Sequence, residues 1–432
     1  MSITGLIYAL IYFWGLLKAL SSKPIYGLYM YFFAFYAYPP ARWWGETLPG
    51  LRWSFIAAIV TLISILVHSK REKLLWSEFV ENKILLCFLF YIIAQSFWVI
   101  SFQVHKEYIF LMFKFIMLIF IIQNSIKNDK DLIGIVLINL IGCCYYSYLG
   151  MFEHTGGRLE GLGTPGMESA NQLGQHMAAI LVVSAFLLFY FTRMRWFLLA
   201  IFVLILLNGV LLTQSRGVLI GLVVAGLYSM SLIPPFARRK YFTYFILALV
   251  ALAVLTGPQI KNRFDEMLGN TDTQEQDASA SSRFVIISAQ LEMLKEAPLF
   301  GHGHRGTLLL SQIYIPKDTQ TNLGNGESGR ASHNFILALL VDHGIVGALL
   351  YLSVVVLCLR RVRKVFREFN EQMPKAQFLI LMGLGVGLVS FMVAGLGSNN
   401  KKLEIDIWFY ALIPFIAYQL KSNKVKSQKP KS

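Results

Sequence analysis

The residues of this chain that could carry chemistry gather around one long polar segment, residues 258–332, which separates long apolar segments. Arg283 lies within this segment, and Ser332-His333-Asn334 stand where the chain re-enters an apolar run. A guanidinium binds anions through two parallel hydrogen bonds, and an imidazole can accept a proton near neutral pH. Long loops in compact proteins usually have a function. The segment therefore predicts a site for an anionic substrate at the membrane surface.

Further polar residues adjoin the apolar segments, and we predict that some of them bind substrate. Arg158 lies in a glycine-rich loop, residues 151–171, which ends at Asn171. Lys114 is the basic residue well inside an apolar segment, where charges usually face the protein interior and have a function. Asn334 flanks His333. We expect all four side chains to contact substrate.

Structural roles are the alternatives for these residues, and the sequence leaves them open. Arg216 follows Thr213-Gln214-Ser215 at the end of an apolar segment, where an arginine can simply anchor a helix at the interface. His333 could be an interfacial histidine with a satisfied hydrogen bond. Lys114 could form a buried structural pair.

The loop contains a predicted helix over residues 282–296, followed by a glycine-rich turn. Ser281 or Ser282 could cap the helix, and Pro298 limits its range. Arg283 would then lie in the first turn, where the helix dipole disfavours a cation, and this placement suggests an anion nearby. The apolar stripe predicted for this helix is Phe284, Ile287, Leu291 and Leu294.

Histidines in and after the turn raise the question of a metal site. Gly301-His302-Gly303-His304 offers a His-x-His pair, and His333 follows at a distance. Such a pair in a glycine turn is a poor signal for a metal centre. We predict no metal and no cofactor, and we assign His302 and His304 to the turn.

The composition fixes the fold class. Hydrophobic residues make up 56% of the 432 residues and charged residues only 15%. Repeated apolar runs of about 20 residues predict an all-α polytopic membrane protein with 12–13 transmembrane helices. The domains predicted are transmembrane helices in 1–257, a periplasmic loop with short helices in 258–332, further helices in 333–420 and a disordered basic cytoplasmic tail in 421–432. The spans are predicted at 3–20, 24–38, 53–68, 84–100, 108–126, 132–150, 172–191, 195–212, 216–233, 241–257, 333–357, 378–396 and 404–420.

The net charge of +15 reports membrane orientation and not a nucleic-acid partner. If alternate connections face the cytoplasm, that side carries 23 basic residues, whereas the opposite short loops carry 7. Cytoplasmic loops are enriched in lysine and arginine, so the long loop is predicted to face the periplasm. The expected partners are therefore membrane lipids and lipid-linked molecules. All four cysteines fall in apolar segments, which gives no indication of a disulfide framework.

Five short motifs stand around the long loop: T-Q-S-R-G at 213–217, D-A-S-A-S-S-R-F at 277–284, G-H-G-H at 301–304, S-H-N-F at 332–335 and D-H-G-I-V-G at 342–347. Taken together, these motifs resemble the O-antigen ligase and polymerase family of membrane glycosyltransferases. The resemblance is strongest over residues 205–350, and the first half agrees in hydropathy and in its glycine-rich loop. Within the family, the chain looks most like the O-glycosylation ligases associated with exosortase systems. It departs from the family at Ile286-Ile287, where an aromatic residue is frequent, and at Asp342, where glutamate is frequent.

The resemblance implies a metal-independent, inverting transferase of the inner membrane with a periplasmic active site. Such enzymes move a glycan from a polyisoprenyl (undecaprenyl) diphosphate carrier to a hydroxyl on lipid A-core, a protein or another glycan. Arg216 and Arg283 would neutralise the leaving diphosphate, and His333 would take the proton of the acceptor hydroxyl.

Two other functions remain open at this point. A polymerase joins two lipid-linked glycans and shares the donor chemistry of a ligase. A flippase or transporter of lipid-linked sugars would place its polar site near the membrane midplane, commonly with internal repeats. Lys114 alone suits that arrangement, because the other candidates gather at one membrane face.

Overall fold

The computed structural model describes residues 2–68, 74–152, 157–164, 166–233, 274–324, 327–369, 376–399 and 403–428, with a few residues between 238 and 250. The first half of the chain folds into helices with short connections. They are α1 (Ile3–Ser21), α2 (Ile25–Ala37), α3 (Trp53–His68), α4 (Val80–Gln95), α5 (Phe102–Ser125), α6 (Asp129–Phe152), α7 (Ala170–Leu187), α8 (Arg193–Leu212) and α9 (Arg216–Ser229), with 3-10 turns at Pro39–Ala41, Trp43–Gly45, Trp76–Glu78 and Met230–Leu232.

The described part of the second half contains further helices and one small hairpin. Its elements are α10 (Gln274–Glu296), α11 (Gly306–Tyr314), a 3-10 turn (Lys317–Thr319), β1 (Thr321–Gly324), β2 (Glu327–Gly329), α12 (Phe335–Phe369), α13 (Ala376–Gly395) and α14 (Ile405–Gln428). The two strands pair antiparallel.

The predicted fold class is confirmed. Every predicted span coincides with a helix except 241–257, which falls largely outside the described residues. Six described helices are long and apolar enough to cross a membrane: α1, α5, α6, α8, α12 and α13. The disordered tail predicted from residue 421 is wrong at its start, since α14 runs to Gln428. No glycine or proline interrupts the helix between Lys421 and Gln428.

Helix α13 lies at the centre of the bundle and organises the helices around it. About 83% of the residues in its apolar stretch are buried. A Cβ atom at Gly383 would lie 3.0 Å from the Cα atom of Val183, so the backbones of α13 and α7 approach closely. Helix α9 approaches the same way, because a Cβ atom at Gly221 would lie 2.7 Å from the Ser390 carbonyl oxygen. Small residues at such crossings are typical of membrane helices.

Helix α10 confirms the helix predicted in the loop and corrects two of its details. It begins at Gln274, so the cap predicted at Ser281 or Ser282 is wrong and Arg283 does not lie in the first turn. The argument that the helix dipole there implies an anion therefore has no basis. The preceding Gln-Glu-Gln-Asp-Ala run contains residues compatible with a helix, which explains the earlier start.

The apolar stripe predicted for α10 is also wrong. Phe284 and Leu291 are exposed, whereas Ile286 and Met293 are almost completely buried. The buried residues pack against α11 and the first half of α12, where Val341 completes a small core. Both stripes have helical spacing, and the contact with neighbouring elements decides which one is covered.

A sharp junction, formed by residues 298–304 and 341–346, joins the loop to the membrane part of α12. Gly344 interrupts that helix with a φ of 62°, which a residue with a side chain rarely adopts. The broken helical hydrogen bonds are replaced, because the His302 and Gly303 amides donate to the Val341 and Asp342 carbonyls at 3.0 and 2.8 Å. The Ile345 amide donates to the Pro298 carbonyl at 2.9 Å. The G-H-G-H and D-H-G-I-V-G motifs thus build one structure.

Helix α4 supports this junction from the side. The Gln95 amide nitrogen donates to the carbonyls of Phe300 and Asp342 at 2.6 and 2.7 Å. The Tyr91 hydroxyl donates to the His343 carbonyl at 2.6 Å. These bonds satisfy the Phe300 and His343 carbonyls and give the Asp342 carbonyl a second donor besides the Gly303 amide. The junction fixes the direction in which α12 enters the bundle.

Candidate functional site

Arg216 begins α9 at a tightly bent connection from α8. Gln214 adopts the left-handed conformation with a φ of 47°, which reverses the chain direction. Ser215 precedes the helix, and its hydroxyl donates to Asn171 Oδ1 at 2.8 Å. Arg216 is half-buried. The T-Q-S-R-G motif therefore forms a helix start that holds a guanidinium at one end of the bundle.

Arg158 and Asn171 meet at this same connection, as expected for residues of one site. Arg158 Nη2 donates to Asn171 Oδ1 at 2.7 Å, and its Nε donates to the Thr213 carbonyl at 3.2 Å. Asn171 lies in the first turn of α7, which a capping box of Ser169 and Gln172 fixes. The Asn171 carboxamide oxygen thus ties the glycine-rich loop to the T-Q-S-R-G segment.

His333 and Asn334 lie at the start of α12. The Asn334 side chain caps the helix, because its Oδ1 accepts from the Leu337 amide at 3.0 Å. Ser332 is buried, and its hydroxyl accepts from Gln290 Nε2 of α10 at 2.9 Å. His333 itself is exposed. The turn is therefore anchored on both sides while the imidazole stays accessible to a substrate.

A small cleft of about 70 Å³ connects His333 with α10 and with the end of α13. Arg283 lies on α10, three residues before the first residue of this lining. Its side chain is outside the described part of the structure. The backbone nevertheless places Arg283 on the helix that forms one wall of the cleft. The lining residues are Ile286, Ile287, Gln290, His333, Asn334, Leu396 and Gly397.

The start of α9, which carries Arg216, and the cleft beside His333 both contact the end of α13. A Cβ atom at Gly217 would lie 3.4 Å from the Ala394 carbonyl oxygen, so the start of α9 abuts this end. Gln172 Nε2 of α7 donates to the Asn399 carbonyl at 3.1 Å. Leu396 and Gly397, just beyond α13, line the His333 cleft. The structure thus gathers Arg158, Asn171, Arg216, His333 and Asn334 around one helix end.

Residues 394–399 are the part of this site that sequence reasoning missed. Their sequence, A-G-L-G-S-N after an apolar span, was the available signal. It marks a polar helix end but carries no ionisable group, so it does not by itself suggest chemistry.

The comparison with known families covers the region that holds most of these residues. A family model described as O-antigen ligase matches residues 201–352. This match confirms the resemblance predicted from the motifs. No curated protein matches the chain. The O-antigen ligase region includes Arg216, Arg283, His333 and Asn334, whereas Arg158, Asn171 and Lys114 lie outside it.

Lys114 is not brought to the group around α13. It lies in the middle of α5, and its side chain is exposed on the surface of the described bundle. An exposed residue at mid-helix faces either lipid or a groove at the bundle surface. Its predicted contact with substrate stays a prediction, separate from the group of residues around the end of α13.

Three potential metal ligands do converge within the O-antigen ligase region, at the junction. Ligand atoms of His304, Asp342 and His343 all lie within 4.8 Å of one another, and the residues are buried. Asp342 already has a structural role, because its Oδ2 accepts from the Arg305 amide at the start of α11 at 2.9 Å. The His304 ring stacks on Tyr108 with a centroid distance of 4.3 Å. His304 lies in a turn, as predicted, and the predicted absence of a metal stays a prediction.

Chelation tests whether this cluster holds a metal. We expect EDTA treatment to leave both transfer activity and melting temperature unchanged, and the purified protein to carry well below one equivalent of zinc. His304→Ala should lower the melting temperature, because it removes the stacked ring, but should leave metal content as it is. Loss of activity on chelation, with recovery on adding Zn²⁺, would show that the predicted absence of a metal is wrong.

Proposed function

We propose that this chain transfers a glycan from a polyisoprenyl diphosphate carrier to a hydroxyl acceptor, as an O-antigen ligase. The O-antigen ligase match supports a membrane glycosyltransferase of this family. The observation that carries the finer assignment is the gathering of Arg158, Arg216 and His333 around the end of α13. This arrangement supplies anion-binding groups and a proton acceptor on either side of one helix end.

The proposed reaction is a single displacement at the anomeric carbon. The acceptor oxygen forms a new bond to that carbon while the bond to the diphosphate oxygen breaks, and the configuration inverts. The hydroxyl proton passes to the His333 imidazole, and the leaving diphosphate keeps the electron pair. Arg216 and Arg283 neutralise the charge that grows on the diphosphate, and arginine does this through planar, two-pronged hydrogen bonds.

Reconstitution with defined substrates tests this proposal. Purified protein is mixed with a lipid-linked glycan and with lipid A-core, protein or glycan acceptors. Glycan on lipid A-core or protein identifies a ligase, whereas longer lipid-linked chains identify a polymerase. Absence of every transfer product, together with movement of the lipid-linked sugar across a vesicle bilayer, would instead support a transporter.

The proposal also places the site on the periplasmic side of the inner membrane, as the bias in basic residues suggests. We expect Gly324→Cys, in the hairpin of the loop, to react with an impermeant maleimide in intact spheroplasts. Lys426→Cys, near the end of α14, should react only after the membrane is permeabilised. The four free native cysteines, of which Cys87 is exposed, are first replaced. The reverse labelling pattern would contradict both the orientation and the proposed site.

A further inference from the structure

Arg42 is a buried arginine at the same end of the bundle, and neither the motifs nor the family match assigns it a role. It is only 7% exposed. Its Nε donates to the Ala37 carbonyl at 3.2 Å, and its guanidinium carbon lies 5.5 Å from the centre of the Tyr145 ring. Among the described residues, Nη2 has no hydrogen-bond partner and the guanidinium has no carboxylate partner.

Such a guanidinium is costly to bury. Arginine keeps its charge in proteins, so it cannot reduce the cost by losing a proton. The hydrogen bond to the Ala37 carbonyl and the contact with the Tyr145 ring offset only part of the free energy of hydration that the guanidinium loses. A buried charge is normally paired, and an anion would complete the set. Within the described residues, Nη2 of Arg42 is therefore left to be satisfied by an anionic group.

The backbone around Arg42 forms tight turns that hold this side chain in place. Tyr38 adopts the left-handed conformation with a φ of 37° and turns the chain away from α2. Two 3-10 turns follow, and the Arg42 amide donates to the Pro39 carbonyl at 3.0 Å. A Cβ atom at Gly45 would lie 1.9 Å from the Pro39 carbonyl oxygen, so only glycine fits there.

The glycine-rich loop connects Arg42 with the candidate site. A Cβ atom at Gly163 would lie 2.4 Å from the Ala41 Cβ atom, so the loop packs directly on the residue before Arg42. Thr164 donates to the Tyr146 hydroxyl at 2.9 Å, beside the Tyr145 ring. The same loop contains Arg158, which donates to Asn171 Oδ1 and to the Thr213 carbonyl. The glycine-rich loop thus contacts both the segment that carries Arg42 and the connection that carries Arg216.

We propose that Arg42 binds a phosphate group of a lipid substrate, and that this substrate is the diphosphate-linked donor. A guanidinium binds a phosphate through strong charge-assisted hydrogen bonds, and Nη2 is the Arg42 donor that lacks a partner among the described residues. The exposed Trp43, 67% accessible, is suited to the interface where lipid phosphates lie. The choice of the donor rests on the proposed function, whereas the phosphate site itself rests on Arg42 and its surroundings.

Ligand-dependent thermal stabilisation of purified protein tests the proposal. The probes are polyisoprenyl diphosphate and, separately, phosphatidic acid. For Arg42→Gln we expect affinity for polyisoprenyl diphosphate to fall roughly 10- to 100-fold, the range for loss of a charge-assisted contact. The melting temperature without ligand should stay the same or rise, because an unpaired buried charge is removed. Arg52→Gln, an exposed arginine of the same connection, is the matched control and should behave as wild type.

The outcomes separate this proposal from the proposed function. If wild type and Arg42→Gln bind polyisoprenyl diphosphate and phosphatidic acid equally well, Arg42 is structural and the inference is overturned while the donor assignment stands. If only phosphatidic acid binding depends on Arg42, the phosphate site is supported but its source is a phospholipid headgroup. If wild type binds neither probe, both proposals fail. Should Arg42→Gln not fold, Arg42→Lys keeps the charge without the planar fork and is expected to weaken binding about tenfold.

Discussion

Replacing His333 with alanine is expected to lower glycan transfer by about 10²- to 10⁴-fold while binding of the lipid diphosphate survives. This range is typical for loss of a general base. The His333 side chain is exposed, and the turn beneath it is anchored by Ser332 and Asn334, so the variant should fold normally. Single-turnover transfer and donor-dependent thermal stabilisation, measured on the same preparation, separate chemistry from binding.

His302→Ala is the control for this experiment. His302 Nε2 bonds to the Met293 carbonyl at 2.7 Å, which is a structural contact within the loop. We expect a modest loss of stability and at most a few-fold loss of transfer. Normal transfer by His333→Ala would exclude the general-base role and return His333 to an interfacial histidine.

Replacing Arg216 or Arg283 with lysine should lower the rate of transfer about 10- to 150-fold, although the charge is kept. Lysine cannot form the planar two-pronged contact with a diphosphate oxygen pair. Loss of one charge-assisted contact costs about 1.5–3 kcal/mol, which corresponds to this range of rates. The measurement is kcat/KM with a defined lipid-linked donor.

Arg52→Lys serves as the control for both arginine variants, since Arg52 is exposed and lies outside the group around α13. Wild-type rates in both lysine variants would leave Arg216 as a helix anchor and Arg283 as a solvated residue. A loss in one variant alone would assign the diphosphate contact to that arginine.

The fold class and most helix positions could be predicted because they follow from local patterns. Apolar runs of membrane length determine the spans, and Ser169 with Gln172 marks the start of α7. The neighbourhood of Arg158 and Asn171 was likewise accessible, since both adjoin one glycine-rich loop. In each case the information lies within a few residues of sequence.

The features that were missed depend on contacts between distant segments. Two stripes on α10 have the same periodicity, and only the neighbours of Ile286 and Met293 decide that this stripe is buried. The role of residues 394–399 arises because α7, α9 and α12 converge on one helix end. Arg42 lies about 120 residues from the loop that packs beside it, so no local pattern connects them.

The junction has a consequence for exchanging parts between relatives. Its two halves, residues 298–304 and 341–346, fall on opposite sides of the border between polar loop and apolar span. A chimaera that exchanges only residues 258–332 would pair residues 298–304 of another protein with residues 341–346 of this one. The fit there is close, because a Cβ atom added at Gly344 would lie 2.3 Å from the Leu299 carbonyl oxygen. The smallest segment that keeps the junction intact on exchange therefore runs from the start of α10 through Val346.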